Sequence, residues 1–250
     1  MKNNFFSKSI GNIYLKPSSK SEISSQILYG EKFQILSINK DWIKIKTSFD
    51  NYIGFIKETD FLKNHNPKFK VFLPKSNIFK KFNNRLIKKK TYLYFSSTIS
   101  NLENENGYIR FSKNKWIKKK DLKNINYREK NYKKIIKLFL NTKYLWGGKS
   151  VDGIDCSALI QIYFYYNRIF FPRDSKDQIK YCKKKRSKKF DKGDIIFWKG
   201  HVGICLNKSK FIHAYGPRKK VLIMPTNRTI ELIEKTANLK VKKVSNIKKY

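Results

Sequence analysis

Acidic residues, cysteines and long apolar runs are what this chain has little of. Of its 250 residues, 18 are Asp or Glu against 57 Lys or Arg, a formal charge of +39. Such an imbalance ordinarily points to nucleic acid or an anionic surface, because neutralising phosphates rewards clustered Lys and Arg. Here the lysines run through the whole chain beside abundant Asn, Ile, Phe and Tyr, and alanine is nearly absent. That bias has the mark of an AT-rich genome acting on every surface position. No specific nucleic-acid partner is expected, and Lys88-Lys89-Lys90, Lys118-Lys119-Lys120 and Lys183-Lys184-Lys185 read as solvated loops.

Three cysteines, Cys156, Cys182 and Cys205, lack the even count and dense spacing of a disulfide framework and form no Cys-x-x-Cys knuckle. Free thiols in a reducing compartment fit. No stretch has the apolar length needed to cross a bilayer. Met1 to Ile10 offers Lys2 and Lys8 around a lone Phe5-Phe6 pair, without the sustained apolar run and small-residue cleavage site of a secretory signal. The expectation is a cytoplasmic protein with no membrane partner.

What is present, 40% hydrophobic and 15% aromatic residues, can bury more than one core. From Ile23 to Phe61 short strands alternate with turn residues. Trp42-Ile43-Lys44-Ile45-Lys46 has the period of a half-buried strand, and the turns recur as a small SH3-like barrel requires. Gly107-Tyr108-Ile109-Arg110-Phe111, Lys115-Trp116-Ile117 and Asp121-Leu122-Lys123 echo that pattern, so two barrels in tandem are expected, joined by a linker at Asn64-His65-Asn66-Pro67. After Asn124 the period becomes helical at Tyr132, Ile135, Ile136, Phe139 and Leu140. Asp155 then caps a helix with Leu159, Ile160, Tyr163, Phe164 and Tyr166 on its apolar face. Strands follow at 194–198, 201–206, 210–215 and 221–224. The fold class is α+β, with barrels over 1–64 and 65–124 and a third domain over 125–250.

Cys156 opens the capped helix, where free backbone N–H groups and the helix dipole stabilise a thiolate, so a lowered thiol pKa is expected. A lone cysteine would more simply be a small buried hydrophobe. Two of the three histidines change the balance, because His201 and His213 fall on adjacent predicted strands and can face each other. Gly203, on the face of His201, leaves room for something to bind. A thiol, a base and a group that orients the base make a nucleophilic triad. Metal ligation by Cys156, His201 and His213 matches no zinc spacing. Neither metal nor cofactor is expected.

Tyr144-Leu145-Trp146-Gly147-Gly148, Asp155-Cys156-Ser157-Ala158-Leu159, Phe171-Pro172-Arg173-Asp174-Ser175 with Gln178, Lys192-Gly193-Asp194, His201-Val202-Gly203-Ile204 and His213-Ala214 together resemble the NlpC-type papain-like cell-wall peptidases. The likeness covers about the last half of the chain and keeps the motif order. Ala158 stands where that family usually has glycine. The resemblance implies Cys156 as nucleophile, His201 as general base, His213 as its orienting partner, and Tyr144 with backbone amides at the oxyanion. It implies substrate contacts from Asp155, Ser157, Asp174, Ser175 and Trp146. Lys192-Gly193-Asp194 reads as a turn into a strand.

The tandem barrels resemble those of dipeptidyl peptidases that cut γ-D-glutamyl-diamino acid bonds in murein peptides with a free N-terminal L-Ala. By that resemblance Glu22 and Tyr52 join Asp174 in holding the substrate ammonium, which has to be charge-paired when buried. The expected partner is a murein-derived peptide. The rival readings are an endopeptidase on intact peptidoglycan with wall-binding barrels, an inactive polyanion-binding protein, and an acyltransferase sharing the thioester chemistry.

Overall fold

The computed structural model describes residues 4–57, 60–62, 64–187 and 189–248. It divides into two compact units, Met1–Arg128 and Glu129–Tyr250. The break therefore follows Arg128 rather than Asn124, and both strand-rich segments belong to one unit.

The first segment holds β1 (Asn4–Phe6), β2 (Ile10–Tyr14), β3 (Ile23–Leu28), β4 (Lys32–Asn39), β5 (Trp42–Thr47), β6 (Ile53–Lys57) and β7 (Phe61–Leu62). They form one sheet in the order β3-β2-β6-β5-β4-β1-β7. In β5 the expected alternation is seen, with Ile43, Ile45 and Thr47 buried and Trp42, Lys44 and Lys46 less so. Phe6, Ile13, Ile27, Phe33, Ile43, Ile45 and Ile56 make the core. Phe6 and Ile13 come from β1 and β2, which the sequence pattern does not announce because both are short and set among Asn, Ser and Lys.

The second segment holds β8 (Phe69–Val71), β9 (Lys75–Phe82), β10 (Arg85–Tyr94), β11 (Thr98–Ile99), β12 (Glu103–Glu105), β13 (Tyr108–Ser112), β14 (Lys115–Lys118) and β15 (Leu122–Asn124). Its sheets run β10-β9-β14-β13-β12 and β11-β8-β15. The β9–β10 hairpin turns on Asn83 and Asn84, both at positive φ (45° and 57°), as a two-residue hairpin loop favours. Lys88, Lys89 and Lys90 are thus exposed strand residues, not a loop. Lys63, at the end of the first barrel's pattern, lies outside the described residues.

The expected linker is also tied down. His65 sits 4.9 Å from the Phe5 ring, with Nε2 3.2 Å from Thr98 Oγ1 and Nδ1 3.2 Å from Ser100 Oγ. Tyr29, from the chain just after β3, packs into the core formed by Val71, Leu93, Ile109 and Phe111.

The second unit holds α1 (Tyr132–Lys137), β16 (Lys149–Ser150), β17 (Gly153–Ile154), α2 (Cys156–Tyr166), α3 (Ser175–Tyr181), β18 (Asp194–Trp198), β19 (His201–Cys205), β20 (Lys210–Tyr215), β21 (Lys220–Pro225), α4 (Thr226–Ala237) and β22 (Lys243–Asn246). An antiparallel sheet runs β21-β20-β19-β18-β22. Helix α2 packs on β19 and β20. It is buried nearly all round rather than on one face, as a central helix must be. Leu159, Ile160 and Phe164 are fully buried, each worth about 1.5–3 kcal/mol relative to exposure. Ile196, Trp198, Phe211 and Tyr215 cluster with Ile233 of α4. Among the described residues no helix is long and apolar enough to cross a membrane.

Candidate active site

Glycine brings the chain to Asp155. A Cβ on Gly153 would lie 2.5 Å from Leu145 Cβ, and one on Gly148 would lie 2.5 Å from the Gly153 carbonyl oxygen. Any larger residue would spread the β16–β17 ribbon and shift the start of α2.

Asp155 is the N-cap in extended backbone, φ −95°, ψ 177°. Its Oδ1 accepts from the Ala158 N–H at 2.8 Å and from Ser157 Oγ at 3.0 Å. Its Oδ2 accepts from the Gly147 N–H at 3.0 Å. Arg173 closes this network with both prongs of its guanidinium, Nη1 to Oδ1 at 3.0 Å and Nη2 to Oδ2 at 2.6 Å, and Nη1 also donates to Ser157 Oγ at 2.9 Å. Both partners are buried, at 1% and 7% side-chain exposure. A fork on a carboxylate fixes orientation as well as distance. The side chains of Asp155 and Ser157 are therefore turned inward and occupied. Their polar atoms hold the start of α2 to the Trp146-Gly147 turn, and the substrate contact expected of them rests on the resemblance alone.

Arg173 falls within the Phe171-Pro172-Arg173-Asp174-Ser175 motif, whose pattern alone assigns it no task. An arginine in a stretch that also holds buried Phe171 was the available signal, since a buried guanidinium needs a carboxylate. Gln178 was likewise given no task. Its Nε2 donates to the carbonyls of Ser157 (3.0 Å) and Pro172 (2.9 Å), joining α3 to α2.

Cys156 is 4% exposed. Its sulfur accepts from the backbone N–H groups of Ser157 and Val202. Those donors and Arg173 favour a thiolate, as expected of the position, yet burial outweighs them and, with Asp155 adding to it, pushes the thiol up to about 12. Burial thus works against the lowered pKa expected of a thiol at a helix start. Such a thiol needs a base at the moment of attack.

His201, the base that the resemblance implies, is next in sequence to Val202. His201 Nε2 lies 2.9 Å from His213 Nδ1. For His201 Nδ1 to take a proton from the thiol, the neutral ring has to carry its own proton on Nε2 and donate it to His213. His213 then carries its own proton on Nε2, a buried atom with no hydrogen-bond partner. Burial holds His201 down to about 4. It lowers His213 as well, with His201 adding to the effect. The His213 ring stacks on Tyr215 at 4.8 Å and 15°. Gly203 serves this packing. A Cβ there would meet Phe211 Cζ at 2.3 Å and His213 Cβ at 2.8 Å, so the space it leaves is filled by protein rather than by a ligand.

Tyr144 is held by its N–H to the Lys219 carbonyl at 2.8 Å. Burial first, then the nearby Cys156 and Asp155, raise its phenol, so it stays a donor beside the sulfur. Trp146 is 56% exposed on the adjoining turn. Asp174 is the N-cap residue of α3, yet its carboxylate makes no capping bond. Lys176 lies 3.9 Å away with its own side chain 76% exposed. Burial, the largest influence, raises the Asp174 carboxyl. Ser175 begins α3 half-buried. Glu22 and Tyr52 belong to the other unit, where the Tyr52 hydroxyl donates to the Ser24 carbonyl at 3.3 Å, two residues from Glu22. Their share in amine binding rests on the resemblance alone. The Lys192-Gly193-Asp194 turn is more than a turn, since the fully buried Asp194 accepts from Lys185 Nζ, from the Asp191 N–H at 2.7 Å and from Asn246 Nδ2 at 2.8 Å. Among the described residues no group of three or more His, Cys, Asp or Glu could hold a metal ion.

A thiol at the start of a buried helix, packed on a sheet whose neighbouring strands carry two imidazoles within hydrogen-bond distance of each other, has the arrangement of a papain-like cysteine hydrolase. Residues 141–236 match the model of the NlpC/P60 family and residues 13–61 that of the bacterial dipeptidyl-peptidase SH3 domain. Residues 141–236 are thus an NlpC/P60 domain, preceded by a bacterial dipeptidyl-peptidase SH3 domain. It is 26% identical over 231 residues to the dipeptidyl-peptidase 6 of Lysinibacillus sphaericus, covering 82% of this chain and 84% of that one. The γ-D-glutamyl-L-lysine dipeptidyl-peptidase of Bacillus subtilis is 26% identical across 83% of this chain and 77% of its own. A crystal structure of an NlpC/P60 family protein from Bacillus cereus superposes with a TM-score of 0.77 at 19% identity, over 90% of this chain and 94% of that one, a likeness of fold.

Proposed function

We propose that this cysteine hydrolase is a dipeptidyl peptidase that cuts the γ-D-glutamyl-diamino acid bond of murein peptides bearing a free N-terminal L-Ala. The observation that carries the reading is Asp174, a half-buried carboxylate one residue from the Arg173 that organises the nucleophile's helix, with its oxygens left over from capping. An ammonium is its natural partner. Two relatives aligned along more than four fifths of the chain are named as dipeptidyl-peptidases.

In the reaction, His201 Nδ1 takes the proton from Cys156 Sγ as the sulfur attacks the γ-carbonyl. The Tyr144 hydroxyl and backbone amides near Cys156 receive the oxyanion. The diamino acid leaves as an amine with the proton from His201. Water, deprotonated by His201, then cleaves the thioester, and the L-Ala-D-Glu dipeptide departs as the thiol is restored. The proposed setting is murein-peptide recycling in the cytoplasm.

The test is hydrolysis of L-Ala-γ-D-Glu-diamino acid peptides beside their N-acetylated forms. Cleavage confined to the free amine is expected, and equal turnover of both sinks the exopeptidase claim. A second reading, endopeptidase on intact wall, draws on a Haemophilus influenzae protein named as a probable endopeptidase, 37% identical over 81 residues. Release of peptides from purified murein sacculi distinguishes it.

A further inference from the structure

The first unit contains a cavity of about 440 Å³ that the hydrolase chemistry does not use. Its size is that of small-ligand pockets. Five lysines line it, Lys8, Lys80, Lys89, Lys113 and Lys115, and none of its described lining residues is Asp or Glu. They arrive from separate places: the turn after β1, strand β9, strand β10, and the two sides of the β13–β14 turn. All five are exposed. None takes part in an ion pair among the described residues, although Lys81 and Arg110 of the same barrel do pair, with Glu105 and Glu103.

The walls are fixed. A register shift in the β9–β10 pairing between Lys88 and Tyr92 accompanies the presentation of Lys89 and Thr91 to the cavity. Asn114 pins the opposite rim, its Oδ1 accepting from the Lys81 N–H at 2.8 Å and its Nδ2 donating to the Lys81 carbonyl at 3.2 Å. Beneath lie Tyr29 and Phe111, ring centroids 5.4 Å apart, with Ile78 and Leu93. Uncompensated positive charge around a concave, low-dielectric floor focuses the local field on an incoming anion. Lysine stems can lie along the apolar wall while their ammonium groups converge on one ligand. Preformed walls lower the ordering cost of binding. Compositional drift explains many lysines on this protein; what the fold adds is the convergence of five of them, from four separate places, on one concavity.

We propose that this cavity binds a compact polyanion, a ligand with two or more phosphate groups, independently of the hydrolase site. The probe is inorganic tripolyphosphate, titrated calorimetrically into the full chain at low salt, with ATP run in parallel. Lys80→Gln/Lys89→Gln is compared with Lys208→Gln/Lys235→Gln, which removes the same charge at exposed positions of the other unit. The expected result is saturable binding weakened at least about tenfold, roughly 1.4 kcal/mol, by the cavity pair and less than about twofold by the control. Amide shifts at Thr91 and Asn114 should move with binding. Tighter binding of ATP than of tripolyphosphate, lost in the cavity variant, also supports the site and shows that its ligand carries a body beyond the phosphates. Equal weakening by both variants, or no saturable binding at low salt, overturns the proposal. Melting curves of both variants verify that they fold.

Discussion

The two sides of the active site are built by opposite means. On the nucleophile's side Asp155 is saturated with partners, Arg173, Ser157, Ala158 and Gly147, and a buried charge pair holds the helix start. On the base's side one nitrogen-to-nitrogen bond joins His201 to His213, and aromatic packing by Trp198, Phe211 and Tyr215 does the rest. The contrast follows from what each side has to do. A helix terminus can be aimed by hydrogen bonds because its own N–H groups need partners. The base's side has no helix terminus to satisfy, and its two imidazoles are held by one hydrogen bond and by aromatic rings packed around them.

The largest expected effect removes the reaction while leaving both sides in place. Cys156→Ala should lower kcat/KM by at least about 10⁴-fold with an unchanged melting temperature. Next comes the charged side. Arg173→Met leaves Asp155 buried and unpaired and should destabilise the fold by about 3–5 kcal/mol in urea titrations. Adding Asp155→Asn should restore a good part of that, since asparagine still caps a helix and carries no charge. Failure of the double variant to recover would mean that the network positions by shape rather than by charge. The packed side should give way more gently. His213→Ala should reduce kcat by about 10²-fold, within the range for a group that orients a base. His213→Asn, which keeps an acceptor for His201 Nε2, should recover about half of that loss on a logarithmic scale. Equal activity of the two variants would show that His213 acts by packing alone.

How much of this was legible in the sequence follows the same division. Cys156, His201 and His213 could be read because chemistry-bearing residue types are rare here and fall at recognisable element positions, a capped helix start and two adjacent strands. The capping role of Asp155 was legible from its place one residue before the helix. Its bond to Arg173 was not, because eighteen residues and a turn separate them and no local period links them. Gly203 was read as space for a ligand, whereas the neighbouring strand fills that space with His213 and Phe211. The thiol's expected activation considered the helix terminus and omitted burial, the larger influence on Cys156. In the first unit, β5 was plain from strict alternation. β10 was hidden because its lysines, uniformly exposed, imitate a loop.

The smallest effect tests the base's side through pH. Burial is the main cause that holds all three histidines, His65, His201 and His213, below their ordinary value, His65 and His201 at about 4. In the unfolded chain each protonates near 6.5. Between pH 6.5 and 4 the unfolded state therefore binds more protons than the folded one, so their contribution to stability is complete above 6.5 and is lost as the pH falls through about 4. The fully buried His213 adds up to about 1.4 kcal/mol per pH unit in that window, and the partly exposed His201 and His65 add less. Urea titrations at pH 7, 5.5 and 4.5 should show the loss, and His213→Gln should flatten the dependence while His65→Gln flattens it less. Neutral His201 also remains available as a base well below 6.5, so the acid limb of kcat/KM should fall nearer pH 4 than pH 6.5. An acid limb at 6.5 in wild type, unmoved by His213→Asn, would show that the His201 ring is solvated as it works. Packing alone would then not explain how the base is held.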